Sequence, residues 1–311
     1  MMLSLESLLE QYDSFMSLGD ARAIQYPLLD SPLPCLSLLT CYLLFVKVIG
    51  PDFMKNRKPF DLRYLMIIYN FSMVLLNGYI FWGIGVHGWF GKYDIRCEPV
   101  NRSTTDVSAV KMVFFGWLFY ISKFIEFLDT AFFILRKKDS QVTLLHVIHH
   151  CSMPFNCWFT IRFVPGGHAS MVAFANSGVH VIMYSYYALS ALGPAVTPYL
   201  FFKKYITRIQ ITQFLLILAH AMQLLFRDCD FPNFFVSYIG FYAVFFTIMF
   251  SNFYVKVYTR RTEKMKDRFN ATTKEKDYLK NGQLEHNGSH DYSMCNNNHK
   301  ELGDCDLRRR T

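Results

Sequence analysis

Six stretches of this chain carry no Asp, Glu, Lys or Arg: residues 31–46, 64–91, 140–161, 163–202, 209–226 and 231–255. A helix needs about 20 mostly apolar residues to cross a bilayer, so each stretch is read as one span. The first is short, and Lys47 can snorkel from its end to the interface. A seventh apolar stretch, 112–135, carries Lys123, Glu126 and Asp129 inside it. The expected fold is therefore all-α: a polytopic membrane protein of seven transmembrane helices, near 33–50, 64–86, 112–135, 141–162, 169–191, 205–226 and 234–256.

Composition agrees. Charged residues make up 18% of the chain, against about 25% in soluble domains, which excludes a disordered polymer. A net charge of +8 fits nucleic acid in principle, but the cations sit between the apolar stretches, so no nucleic-acid partner is expected. Lys47, Lys55, Arg57, Lys58 and Arg63 follow the first span, and Arg136, Lys137 and Lys138 follow the third. Lys203 and Lys204 precede the sixth span, and Lys256, Arg260 and Arg261 open the tail. Seven alternating helices put these four segments on one side, which the positive-inside rule makes cytosolic. The N-terminal segment, 1–32, then lies outside or in a lumen. Residues 33–256 form the membrane domain, and the polar tail, 257–311, is expected to be mostly disordered and cytosolic. Neither a cleavable signal peptide nor an internal repeat is evident.

Ionisable groups inside a span are costly and point to function. In the third span Lys123, Glu126 and Asp129 recur every three residues; an internal ion pair that joins helices is the simpler reading. In the fourth, His146, His149 and His150 share a stripe about 100° wide. Asn176 and His180 are four apart in the fifth, and Thr207, Gln210 and Gln213 form a stripe in the sixth, where helix-to-helix hydrogen bonding is the competing reading. At 1.5 Å per residue, the groups on these four helices come to similar depth, roughly 8–17 Å from the cytosolic ends. A site in that layer would open to the cytosol and bury an apolar portion of its substrate.

Those residues form four boxes in order: Lys123-Phe-Ile-Glu126-Phe-Leu-Asp129-Thr130, His146-Val-Ile-His149-His150, His180-Val-Ile-Met183-Tyr184-Ser-Tyr186-Tyr187 and Thr207-Arg-Ile-Gln210-Ile-Thr-Gln213. Together they resemble the signature of the very-long-chain fatty acid elongases (ELO-type 3-ketoacyl-CoA synthases), over roughly residues 25–268. The resemblance implies a seven-helix bundle around a narrow acyl tunnel in the endoplasmic reticulum. It also implies condensation of a long-chain acyl-CoA with malonyl-CoA to a 3-ketoacyl-CoA, CO2 and CoA, without cofactor or metal. By that resemblance His149 is the nucleophile, a role that neutral imidazole can fill by forming an acyl-imidazole. His180 and Asn176 lie near the malonyl thioester and its enolate, which needs donors where charge develops. His146 and His150 fix a tautomer or move protons, and Glu126 and Asp129 orient those imidazoles. Lys123, Tyr184, Tyr187, Gln210 and Gln213 complete the substrate site. Lys137, Lys138, Lys203, Lys204 and Arg208 face the CoA phosphates, or serve only as topology determinants. A ketoacyl reductase, a dehydratase and an enoyl reductase are implied as partners. The terminal Arg308-Arg309-Arg310-Thr311 stands where family members often carry a dilysine retrieval signal.

Two other classes share features with the chain. Membrane di-iron desaturases and hydroxylases also use HxxHH boxes, but they need more clustered histidines than His146, His149, His150, His180 and His220. A seven-helix receptor with its N-terminus outside fits the helix count, yet its polar pocket belongs on the outer side. On the side assigned to the lumen, Asn101-Arg-Ser103 is a glycosylation sequon. Cys97 and Cys229 are the two cysteines well inside luminal loops, and a disulfide between them is expected.

Overall fold

The computed structural model describes residues 5–193, 195, 196, 200, 202–259 and 273. The tail beyond residue 259, with Arg308 to Arg310, lies outside the described residues apart from Thr273. So does its expected disorder. Among the described residues the fold is all-helical, without strands.

Helix starts follow local chemistry. α1 is Leu5–Ser17. α2, Pro32–Leu44, opens on the Ser31 hydroxyl, which accepts from Leu33 N, and on a proline that has no N–H to satisfy. It continues through a π-helical turn, Phe45–Ile49, into α3, Gly50–Met54. α4 is Arg63–Ile84, extended by a second π turn, Gly85–Trp89. α5, Val107–Ile125, is capped by Asp106, and α6 is Phe127–Leu135. α7, Leu144–Phe163, is capped by Thr143. α8 is Ser170–Ala191, α9 is Lys203–Met222, and α10 is Asn233–Tyr254.

Length and apolarity alone qualify four stretches to cross a membrane: Pro32–Met54, Arg63–Trp89, Lys203–Phe226 and Asn233–Thr259. The remaining long helices differ for a physical reason. The expected third span is broken at Glu126, and α7 and α8 carry the histidines and amides. α4 packs mainly on α8, and α9 on α10.

Two ends can be distinguished. At one, which we call the capped end, the loops at 18–31, 90–106, 164–169 and 227–232 are fastened to one another. Cys97 and Cys229 are disulfide-bonded, with Cα atoms 5.7 Å apart across 132 residues of sequence. The Asp20 carboxylate takes Arg22 at 2.8 Å and Arg102 at 3.2 Å. Burial opposes its charge, but hydrogen bonds from Arg22 and the nearby guanidinium charges prevail, so its carboxyl titrates below the usual range. Arg102 also donates to Phe163 O, and His168 N donates to Glu98 O. Arg162, near the end of α7, donates to Met16 O at 2.7 Å and to Asp20 O at 3.2 Å. It thereby ties α7 to the last turn of α1 and to the turn that follows, at carbonyls that also accept from Gly19 N and Ala23 N. A Cβ on Gly19 would lie 1.7 Å from the Arg162 guanidinium, so a larger residue there would displace this clasp.

The N-terminal segment thus contains a helix where only a polar stretch was expected. Its apolar residues, Leu5, Leu8, Leu9, Tyr12, Phe15 and Met16, fall at helical spacing, and the Phe15 ring packs tilted against Phe163 at 4.9 Å. The opposite end, which we call the basic end, is joined more lightly. Phe60 N donates to Leu135 O, Lys137 Nζ reaches Lys55 O at 3.4 Å, and Arg63 donates to Ala191 O and Leu192 O.

Candidate active site

The break between α5 and α6 positions the first group of polar side chains. Ser122 turns its hydroxyl onto Phe119 O, and Glu126 adopts φ −63°, ψ −14° before the chain resumes as α6. Neither Pro nor Gly causes the interruption. Lys123 and Glu126 flank it and meet at 2.6 Å. Lys123 Nζ also donates to Asn176 Oδ1 at 2.9 Å, and Glu126 Oε1 lies 3.1 Å from His180 Nδ1. All four residues are at most 5% exposed, so α5 and α8 are joined by a dry, charged network. An ion pair in such surroundings survives only when it is paired and hydrogen-bonded, and here it is both.

Asp129, one turn on, accepts from the Tyr184 hydroxyl at 2.7 Å. Tyr69 of α4 packs edge-on against Tyr184, and Tyr184 against Tyr187. His146 Nε2 meets Thr130 Oγ1 at 2.8 Å, and Thr130 meets the Tyr42 hydroxyl at 2.9 Å. Of the two carboxylates expected to orient the imidazoles, Glu126 is bonded to His180 and Asp129 to Tyr184, while His146 is bonded to Thr130. A carboxylate bonds what its helix face presents, and α8, not α7, lies opposite Glu126.

His149 has a different environment. Its ring packs on Phe246 at 4.9 Å, on His150 at 5.7 Å and on Phe250 at 5.8 Å, and its Nδ1 is enclosed without a partner. The His146 and His150 rings lie 4.2 Å apart, tilted by 46°. Gln210 Nε2 lies 3.4 Å from the sulfur of Met183, and Gln213 is 4% exposed. Among the described residues, no three His, Cys, Asp or Glu side chains converge where they could hold a metal ion.

Beside this layer lies a partly open, mostly apolar cavity whose empty space, with the solvent at its opening, comes to about 900 Å³. Asn176, Gln213 and Phe246 line it near the polar network, and Met112, Val164 and Gly166 line it near the capped end. Asn176 belongs to both the network and the wall. His149 and His180 stand behind the wall, His149 against Phe246.

The cations from the loops stand apart from the buried network. Arg208 donates to the Tyr254 hydroxyl at 2.7 Å and lies over the rings of Tyr205 and Tyr254. Lys204 lies over Tyr205, Lys203 is exposed, and Lys137 points to the end of α3. Asn101 is exposed at the capped end. Sequence reasoning missed Tyr42, Tyr69 and Phe246, because an aromatic in an apolar helix looks like core. Thr130 was inside a box but had no assigned part.

Comparison with known proteins places this arrangement. The chain matches the family model described as ELO: GNS1/SUR4 family over residues 27–266. It is 48% identical over 241 residues to Very long chain fatty acid elongase AAEL008004 of Aedes aegypti, covering 77% of this chain and 67% of that one. It is 44% identical over 260 residues to Very long chain fatty acid elongase 7 of Drosophila melanogaster, covering 82% and 79%. It is 45% identical over 258 residues to Very long chain fatty acid elongase 1 of Mus musculus, covering 82% and 92%.

Proposed function

The chain belongs to the ELO (GNS1/SUR4) family, and on that premise we propose that it is the condensing enzyme of a fatty acid elongation cycle. It joins a long-chain acyl-CoA to malonyl-CoA and yields a 3-ketoacyl-CoA, CO2 and CoA. The observation that carries this reading is the juxtaposition of a dry Lys123–Glu126–His180–Asn176 network and His149 with the head of a mostly apolar cavity.

The chemistry runs in two steps. An imidazole nitrogen of His149 attacks the acyl thioester carbonyl; a C–N bond forms, the C–S bond breaks, and CoA departs as its thiol. Malonyl-CoA then loses CO2, and its enolate carbon attacks the acyl-imidazole, which forms the new C–C bond and frees His149. Glu126 fixes the tautomer of His180 through Nδ1 and leaves Nε2 for the substrate. Lys123 occupies Asn176 Oδ1, so the amide N–H groups of Asn176 are the ones left for the enolate oxygen. Asp129, Tyr184, Tyr187, Gln210 and Gln213 shape the substrate site, and His146 and His150 support His149. Lys137, Lys203, Lys204 and Arg208 give the mouth a positive field for CoA phosphates.

In this reading seven helices span the endoplasmic reticulum membrane around an acyl tunnel. The capped end and N-terminus lie in the lumen, the basic end and tail lie in the cytosol, and Asn101 is open to glycosylation. A ketoacyl reductase, a dehydratase and an enoyl reductase would process the product. Mass spectrometry after incubation with acyl-CoA alone should show an acyl adduct on wild type and on His180→Ala, and none on His149→Ala. Normal malonyl-CoA-dependent CO2 release from wild type that never carries the acyl group would overturn the two-step scheme.

A further inference from the structure

The cavity wall is mostly apolar; Thr160, Ser170, Tyr238 and Tyr242 add hydroxyls to it, and among its described lining residues Asn156 alone has a buried side-chain polar atom without a partner. Asn156, on α7, lines the cavity and is 9% exposed. Its Oδ1 accepts a hydrogen bond from the Tyr238 hydroxyl, across from α10. Its Nδ2 is buried without a partner. An amide offers two donors and an acceptor, and this one has a single neighbour. Around it stand Met153, Cys157, Ile239 and Tyr242, none of which takes up the donor.

A buried donor left unpaired is costly, so a site that retains one is built for a group that completes it. We propose that Asn156, held by Tyr238, is a subsite for a hydrogen-bond-accepting group part-way along the acyl chain. This rests on the acyl-CoA reading above and deepens it. Two groups supply that chemistry in a fatty chain: the π electrons of a cis double bond, a weak acceptor, and a mid-chain hydroxyl, a strong one. A saturated chain offers neither and leaves Nδ2 unpaired. Discrimination of this kind is larger than that from an extra methylene, because the penalty falls on the protein group as well as on the ligand.

The position within the chain follows from the helix. Asn156 is seven residues beyond His149 on α7, or about 10 Å along its axis, so a chain carried on His149 presents roughly its eighth to tenth carbon there. The subsite therefore favours chains whose functional group lies near that depth, whatever their total length.

The test compares elongation of stearoyl-CoA, oleoyl-CoA, positional isomers of octadecenoyl-CoA and mid-chain hydroxystearoyl-CoA by the full-length protein in detergent micelles. The wild type should prefer oleoyl- to stearoyl-CoA in kcat/KM by about tenfold, with an optimum when the double bond sits mid-chain. The hydroxy chain separates the two sources: if it outruns oleoyl-CoA, the group recognised is a hydroxyl. Asn156→Leu should collapse the preference and flatten its dependence on position. Tyr238→Phe, which removes one hydroxyl and keeps the ring, should weaken the preference by less, and it answers the question if Asn156→Leu does not fold. A preference that is absent in wild type, or present and unmoved by either variant, overturns the subsite while condensation itself stands. No malonyl-CoA-dependent extension of any chain in the panel would overturn the reading of function and the subsite with it.

Discussion

The middle of the bundle and its capped end both bury charge, and they do so to opposite purpose. At the cap, Asp20 is saturated by Arg22 and Arg102, Arg162 is spent on backbone carbonyls, and a disulfide closes the loops. In the middle, the Lys123–Glu126–His180 network is held together beside His149 Nδ1 and Asn156 Nδ2, which have no partner. The cap has unpaired atoms too, Arg162 Nε and His168 Nδ1, but neither residue lines the cavity, whereas Asn156 does, so only in the middle does an unpaired group border space that a ligand can fill. The difference teaches where substitution should damage chemistry and where it should damage only the fold.

The sharpest break in that comparison is a centre residue that costs activity far more than stability. His149→Ala should lower condensation by about a thousandfold or more, because the acyl carrier is gone. It should remain folded, with only the modest fall in melting temperature that the cavity left by the buried ring causes. Thermal unfolding in micelles beside a turnover assay checks both halves. A large fall in melting temperature would make His149 a structural residue and dissolve the contrast.

The converse case is the cap. Cys97→Ser with Cys229→Ser should cost about 2–4 kcal/mol of stability, lowered from the soluble-chain value because the membrane already restrains the unfolded chain. Turnover per folded molecule should hold at low temperature. If instead activity falls while the melting temperature does not, the cap takes part in the chemistry and the two regions are not separable.

The smallest effect is also at the cap. Asp20 titrates below its ordinary value, so its contribution is present above about pH 4 and is lost as pH falls through the folded-state value. Asp20→Asn should cost roughly 1 kcal/mol at neutral pH, because Arg102 is half exposed and screened by solvent. Wild type and variant should converge in an acid titration of the melting temperature. Parallel curves would remove Asp20 from the fastening.

The centre was legible in the sequence and the cap mostly was not. Lys123, Glu126, His149 and His180 stand out because an ionisable group in an apolar run needs a reason. Their pairing was not legible, since depth along a helix fixes layers and leaves open which faces meet. Glu126 therefore looked like a partner for α7 and turned out to be the partner of His180 on α8. The interruption at Glu126 had no Pro or Gly to announce it. α1 was hidden because Glu6, Glu10 and Asp13 made its segment look polar, although Leu5, Leu8, Leu9 and Tyr12 repeat at helical spacing. Arg162 looked like the end of a span, and its role as a clasp for Met16 and Asp20 depends on a helix that the polar residues concealed.

The bond between Cys97 and Cys229 also sets a schedule for biosynthesis. The two cysteines are 132 residues apart in sequence, and a ribosome adds about 5–20 residues per second. Cys97 must therefore wait roughly seven to twenty-six seconds, as a thiol, before its partner has been synthesised. During that interval α5, α6, α7, α8 and α9 all emerge between the two cysteines. Closure of the cap is thus a late event in the life of the nascent chain, and any mispairing of Cys97 with another thiol has that whole window in which to occur.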